Sequence, residues 1–577
     1  MPITPGRGLV AALIAAAPLL AQTVPVKEHT LSNGMRLLMV ERHDQPTVAA
    51  GWIVRAGSAN EKPGMTGIAH LFEHMMFKGT KTLGTKDIKR DLELNDLQDK
   101  LRAEIRKEED GLRRKQTLGE IVDMNDPKLR SERHQKLLTE FTKLVKEQQD
   151  LLVKGEFDTV FTKAGASATN AFTNTDVTYY HVTMPSNKLE LWTWMESGRL
   201  LEPVFREFYA ERDVVTEERR MRTDSTPTGK FEEALQAMIW TAHPYHWPVV
   251  GWASDVVSIT REQANDFFAT YYAPNNLTAV LVGDFKAEEA IPMCEKYFGR
   301  IPANPKGVPE VITLEPKQLA EKRMNAEAET TPQVQVWYKS VPTGHKDEPA
   351  LQILSYVLNG NSGRLQKNLV LGQKVATAAG AFPYSRRYAG NLVLYGVAAE
   401  AQKPEEVEQA LYREIEKIQK EGVPALELRK SKNQAQADSF RKVENNEALA
   451  TQLAVADASG NLKNFLDLPN LLEAVTAADV QRVATTYLVK ENRNVAVYTR
   501  KAESGPVDPE LAKVPEKFRA NAKAALAQFE KETDVAKLKQ GLGEMEGQAS
   551  QVPEPVKPLF EFLIKKLRER IAKLEAK

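Results

Sequence analysis

His70-Leu71-Phe72-Glu73-His74 sets two histidines four positions apart with a carboxylate between them. On a helix, residues i and i+4 share a face, so both imidazoles can reach one metal ion. Glu73, at i+3 from His70, lies on the same side, within reach of a water held by that ion. Two neutral imidazoles beside a carboxylate are the usual start of a hydrolytic zinc site. With nine histidines in 577 residues, chance produces this pattern in roughly one such chain in a hundred. The bland alternative is a pair of surface histidines on an amphipathic helix. The flanks speak against it: Gly64-Met65-Thr66-Gly67-Ile68-Ala69 precedes the motif and Met75-Met76-Phe77-Lys78-Gly79-Thr80 follows it. These residues predict a short helix that begins after glycines and is apolar around its histidines. Buried imidazoles demand partners.

The composition narrows the options. A chain of 577 residues should hold two or more domains. Lys+Arg and Asp+Glu are equal at 78 each, so the bulk charge carries no footprint of nucleic acid or of an anionic membrane surface. Cys294 is the only cysteine, which excludes an intrachain disulfide and a Cys-rich zinc site; the ligands must be His and carboxylate. At the N-terminus, Arg7 is followed by an apolar run ending at Ala21. That reads as a secretory signal peptide over 1–21 and predicts a periplasmic or secreted protein. The run is too short for a comfortable transmembrane helix, and the alternative is an uncleaved anchor. No other segment is apolar enough to span a bilayer, so the mature chain is expected to have no membrane span.

Further along, residues 26–56 predict two strands: Glu28–Val40, with an Asn33-Gly34 turn signal between its alternating segments, and the more buried Thr47–Val54. Residues 85–155 carry two narrow apolar stripes in a sea of charge, broken at Asn125-Asp126-Pro127. They predict an antiparallel helical hairpin, read as a solvated lever. Strand character returns over 166–184 and helices follow, the second carrying Glu211, Glu217 and Glu218. A helix-then-strand unit recurs, ending its helix at Tyr272 and again at Tyr487, 215 positions apart. That repeat predicts two homologous α+β domains. Residues 303–318 read as the linker, and 501–577 as a helical extension broken by Pro553, Pro555 and Pro558.

A catalytic zinc site usually has three protein ligands, and the third here should come from the helix of Glu211, Glu217 and Glu218. At this point the chain resembles the pitrilysin/insulinase-type (M16, inverzincin) zinc metallopeptidases, in the branch similar to bacterial processing peptidases. Three stretches carry the resemblance: His70–Thr80, Asn170–Tyr180 and Glu211–Glu218. It implies Glu218 as third zinc ligand, Glu211 as the supporting glutamate that orients the site, and Glu217 pointing away. It implies an edge strand at Asn170, Ala171, Phe172 and Thr173 to which extended peptide adds. The loop His243–Gly251 matches a structural segment despite its histidines.

The implied fold is α+β: an N-terminal metallopeptidase domain over 26–302 with the hairpin inserted at 85–155, and a homologous domain over 319–500. Each domain is a mixed sheet flanked by helices. The implied activity is zinc-dependent endoproteolysis of peptides or unfolded polypeptides in a closed chamber, with His70, His74 and Glu218 on Zn²⁺ and Glu73 as the general base. One departure bears on partners. Family members that work alone carry an arginine and a tyrosine in the second half. Here Val370 stands at the arginine position and Ala376 or Thr377 at the tyrosine, while Arg364 matches neither. The expectation is a homo- or heterodimer with a homologous subunit supplying both groups. A non-catalytic scaffold of the same fold is the alternative.

Overall fold

The computed structural model describes residues 24–501, 510–549 and 552–575. The signal-peptide reading over 1–21 lies outside the described residues. The chain forms two compact units, one ending at Arg500 and one beginning at Lys501.

The first unit contains two sheets. One runs β1-β2-β6-β3-β5-β4, built from Lys27–Thr30, Arg36–Glu41, Leu277–Gly283, Thr47–Val54, Thr178–Pro185 and Ser167–Thr173. The structure divides the expected first strand, Glu28–Val40, at its Asn33-Gly34 turn into two, β1 and β2. The other runs β7-β11-β8-β10-β9, from Lys322–Ala328, Arg493–Arg500, Gln333–Ser340, Gly390–Ala398 and Ala376–Ser385. Apart from β1 the two orders are the same. β6 lies parallel to β2 and antiparallel to β3, as β11 lies to β7 and β8. The repeat seen in the sequence delivers these two central strands. Each preceding helix starts with a capping box, Thr260 with Gln263 and Thr476 with Asp479. The reciprocal hydrogen bonds of such a box satisfy two free N–H groups and fix where the helix begins.

Strand β3 is apolar along its length and buried on both faces. Its inner residues Val48, Ala50 and Trp52 join the main core. On the outer face Ala49 and Ile53 pack with Leu38, Val40, Val280 and Val282 against Leu449 and Leu453. These last two belong to the helix Asn446–Ala458, so a helix late in the chain covers the outer face of the first sheet.

Between β3 and β6 the chain forms, in order, α1 (Ile68–Met75), α2 (Ile88–Thr117), α3 (Glu132–Leu151), α4 (Glu156–Lys163), α5 (Leu189–Leu201), α6 (Phe208–Arg219) and α7 (Gly229–Ile239), then two further helices that lead into β6. The predicted hairpin is α2 and α3. It is not solvated throughout: Asp91 and Arg206 are buried at its base and joined at 2.8 Å. The second unit is built on three helices, Glu516–Lys531, Val535–Gln548 and Lys557–Glu575, around a small apolar core. Among the described residues no helix is long and apolar enough to cross a membrane.

Candidate active site

α1 starts at Gly67, whose φ of 90° suits glycine. A Cβ there would stand 2.5 Å from the Val250 carbonyl oxygen. Gly67 has no side chain to cap the helix. Glu61 replaces it, its buried carboxylate accepting the N–H groups of Gly67 and Ala69 at 2.9 Å each. Burial pushes the Glu61 carboxyl well above its ordinary value, against the lowering effect of these two hydrogen bonds. Nothing in the sequence marked Glu61 for this task. Asp255 holds the preceding loop by accepting from Gly64 and Thr66.

Glu211 and Glu218 are seven residues apart on α6, two helical turns, so they lie on one face. That face meets α1. Glu211 Oε1 accepts a hydrogen bond from His74 Nδ1 at 2.9 Å. Glu218 Oε2 stands 3.4 Å from His74 Nε2 and 3.8 Å from His70 Nε2. Those gaps are too long for good hydrogen bonds. Ligand atoms about 2.1 Å from a tetrahedral ion stand about 3.4 Å from one another, which is the scale found here. One ligand atom from each of His70, His74 and Glu218 lies within 4.8 Å of the others.

The two histidines differ in their electrostatics. Burial, then the neighbouring His74 and Arg222 charges, bring His70 down to about 3. It is therefore neutral with a free lone pair, and its buried Nδ1 has no hydrogen-bond partner. Burial also lowers His74, but the hydrogen bond to Glu211 and the charges of Glu211, Glu218 and Glu73 outweigh it and raise the imidazole. Burial raises Glu73, against the lowering effect of a hydrogen bond from Thr173. Burial would raise Glu211 too, yet its bonds to His74 and Lys78 bring it below its ordinary value.

Two cations complete the site, and neither was read from the sequence. Lys78 Nζ lies 2.5 Å from Glu211 Oε2; its position four after His74 was the available signal. Arg222 Nη2 lies 2.9 Å from Glu218 Oε1, on a turn of π-helix over Arg220–Asp224 that continues α6. Glu217 points outward and pairs with Arg220.

Strand β4 is the free edge of the first sheet. Thr173 Oγ1 donates to Glu73 Oε2 at 2.5 Å, tying the strand's end to the motif. Ala171 packs on the inner core. Phe172 turns to the outer face, where its ring meets Tyr179. Asn170 folds its amide oxygen back to accept the Ala171 N–H. Strand alternation thus puts Ala171 and Thr173 on the metal side and Asn170 and Phe172 on the opposite face. In the second half, Arg364 is engaged by both carboxylate oxygens of Glu427.

Residues 36–109, which include the histidine motif, match the family described as Insulinase (Peptidase family M16), and residues 258–435 match the one described as Peptidase M16 inactive domain. The chain belongs to peptidase family M16. Zinc protease PqqE of Helicobacter pylori is 25% identical over 482 residues, covering 82% of this chain and 92% of the relative. The crystal structure of a protease from Helicobacter pylori superposes with a TM-score of 0.67 at 23% identity, over 82% of this chain and 99% of that one. The periplasmic protease PqqL from Escherichia coli gives 0.62 at 18% identity, over 86% and 50%. This M16 chain carries both histidines, the intervening glutamate and the later glutamate pair.

Proposed function

We propose that the chain is a zinc-dependent endopeptidase acting on peptides or unfolded polypeptides, with His70, His74 and Glu218 as metal ligands. The convergence of these three side chains beside Glu73 carries the reading. When bound, zinc supplies Lewis acidity, acidifying water and polarising a carbonyl. The remaining steps belong to the chain. Glu73, with Oε2 held by Thr173, takes the proton of the attacking water on Oε1 and returns it to the leaving amine. Glu211 fixes the His74 ring so that Nε2 faces inward. The backbone of Asn170–Thr173 pairs with an extended peptide, so recognition tolerates varied side chains.

The domain boundaries 26–302 and 319–500, with the linker 303–318, follow the two sheets. Because Val370, Ala376 and Thr377 offer no cationic or phenolic group, the working particle is a dimer in which a homologous subunit supplies them. The apolar leader in the sequence and the likeness to a periplasmic protease, PqqL, support a periplasmic or secreted site of action. The description of the second matched region as inactive favours one rival, a non-catalytic scaffold. Glu73→Gln decides between them: the enzyme reading expects stoichiometric zinc in both proteins and a fall in peptide cleavage of at least about a hundredfold in the variant. A scaffold would purify without stoichiometric zinc and cleave nothing at the outset.

A further inference from the structure

The turn that joins β4 to β5, residues 174–177, is gripped from three sides. Asn174 closes it internally, its amide oxygen accepting from Asp176 and Val177 N–H at 2.8 and 2.9 Å. From the α1 side, Ser58 and Ala59 donate their N–H groups to the carbonyls of Asn174 and Thr175. The approach is close: a Cβ on Gly57 would stand 2.3 Å from the Asn174 carbonyl oxygen.

The third grip comes from the other half of the chain. Asp176 is 7% exposed and uses both carboxylate oxygens. Oδ1 accepts from the Tyr245 hydroxyl at 2.5 Å, and Oδ2 accepts from the Arg387 N–H at 3.1 Å. The Tyr245 hydroxyl oxygen in turn accepts from the Tyr388 N–H at 3.1 Å. Arg387 and Tyr388 sit in the turn between β9 and β10 of the second sheet. The four residues form a closed ring of hydrogen bonds, and the Arg386 guanidinium lies 4.0 Å over the buried Tyr245 ring.

The position of this ring matters because β4 is an edge strand and the ring grips the turn that ends it. Only β5 pairs with it, the ladder is irregular between Ser167 and Asn170, and Ala168 sits at a φ of 53°. In a hairpin the turn sets the register, so whatever fixes residues 174–177 also fixes β4 against β5. A slip of one residue would swap Thr173, which touches Glu73, for a neighbour of the opposite face. We propose that Asp176 and Tyr245 are positioning residues, a latch through which the second half holds β4 in register for an extended peptide. This rests on the reading of β4 as the substrate strand. It also gives the second half a task in the chemistry although it brings no group to the metal.

The test compares wild type with Tyr245→Phe and with Tyr412→Phe, all zinc-loaded. Tyr412 makes a similar buried bond to Glu408, 2.7 Å long, within the second half, and serves as the control for general loosening. Hydrogen exchange is followed over residues 167–178 and 386–388. Cleavage is followed on a peptide of about ten residues, long enough to run along β4, and on a blocked tripeptide too short to do so. In Tyr245→Phe we expect exchange in both segments to rise about tenfold, with β2 and β6 unchanged. We expect KM for the long peptide to rise about tenfold and that for the tripeptide to move less than threefold. Tyr412→Phe should do neither. Unchanged exchange at 167–178, or the same exchange in both variants, overturns the latch. Equal loss on both peptides overturns its role in strand register. If wild type cleaves neither peptide, alone or together with the homologous subunit, the peptidase reading fails, and the exchange arm still decides the latch.

Discussion

Removing the Glu211 carboxylate should weaken zinc binding without touching a ligand. The perturbation is Glu211→Ala. In the intact site the carboxylate accepts from His74 Nδ1 at 2.9 Å and receives Lys78 Nζ at 2.5 Å, with its side chain 12% exposed. A hydrogen bond to an ionised group contributes about 1.5–3 kcal/mol net. At 1.4 kcal/mol per factor of ten, its loss corresponds to roughly ten- to a hundredfold in zinc affinity, the range typical of residues that orient a ligand. The variant also leaves the Lys78 charge facing the cation site with only the more distant Glu207 carboxylate, 3.9 Å away, so Glu211→Ala with Lys78→Met should recover part of the loss. The assay is competition for zinc against a chelator of known affinity at fixed pH. Glu217→Ala is the control, since that side chain is 60% exposed and pairs only with Arg220. A Glu211→Ala protein that holds zinc within twofold of wild type would refute the reasoning.

Three further outcomes follow from other contacts. Burial pushes Glu315 up, but Lys339 and the N–H groups of Ala242, Thr241 and His243 outweigh it and bring the carboxyl down to about 2. A depressed carboxyl stabilises the fold fully above its ordinary value of 4.5 and loses that contribution as pH falls towards 2. The shift is worth about 3 kcal/mol, so Glu315→Gln should cost up to about that much at neutral pH in urea unfolding of chelator-treated protein, and little near pH 2; equal losses at both pH values would contradict it. Arg206→Ala leaves the buried Asp91 carboxylate without its cation and removes a donor from the carbonyls of Lys78, Leu83 and Thr80. It should cost about 3–5 kcal/mol in unfolding free energy, and a cost under about 1 kcal/mol would show that the pair is not needed. Gly57→Ala, forced against the Asn174 carbonyl, should destabilise by about 1–3 kcal/mol and lower the midpoint of urea unfolding.

Much of this was legible in the sequence because it depends on local spacing. His70, Glu73 and His74 needed only a helix, and the helix needed only the apolar flank after Gly67. The repeat was visible because Thr260 and Thr476 open helices of equal pattern that feed central strands. What stayed hidden depends on how the chain turns back on itself and on which segments then meet. Glu61 caps α1 only because the chain folds back over six residues. The helix Asn446–Ala458 shows an apolar face but not what it faces; it covers the first sheet, and its Asp457 is buried between Arg36 at 2.6 Å and Arg55 at 2.7 Å. Lys78 and Arg222 looked like ordinary surface cations, and only the fold shows which carboxylate each one holds.

The hairpin explains how a long insertion leaves the metal site intact. Its ends meet: Thr85 and Leu152 form an isolated bridge, and Val153 donates its N–H to the Gly84 carbonyl at 3.1 Å. An insertion that leaves and returns at one point imposes no change on the distance between α1 and β4. The base nevertheless belongs to the site's frame. Gln148 accepts the N–H of Glu207, the residue before α6, and its amide donates to Asp91 and Asn95. Asp91 holds Arg206, and Arg206 holds the carbonyls that follow α1. Both helices that carry the proposed ligands are therefore fixed against the same few buried polar groups. Such a network is costly if partly broken and rigid when complete. Asp99 extends this frame by accepting from the Tyr209 hydroxyl on α6 at 2.8 Å. Among the described residues no hydrogen bond joins the hairpin beyond that level to α1 or α6, so its length can vary there at less cost to the site than at the base.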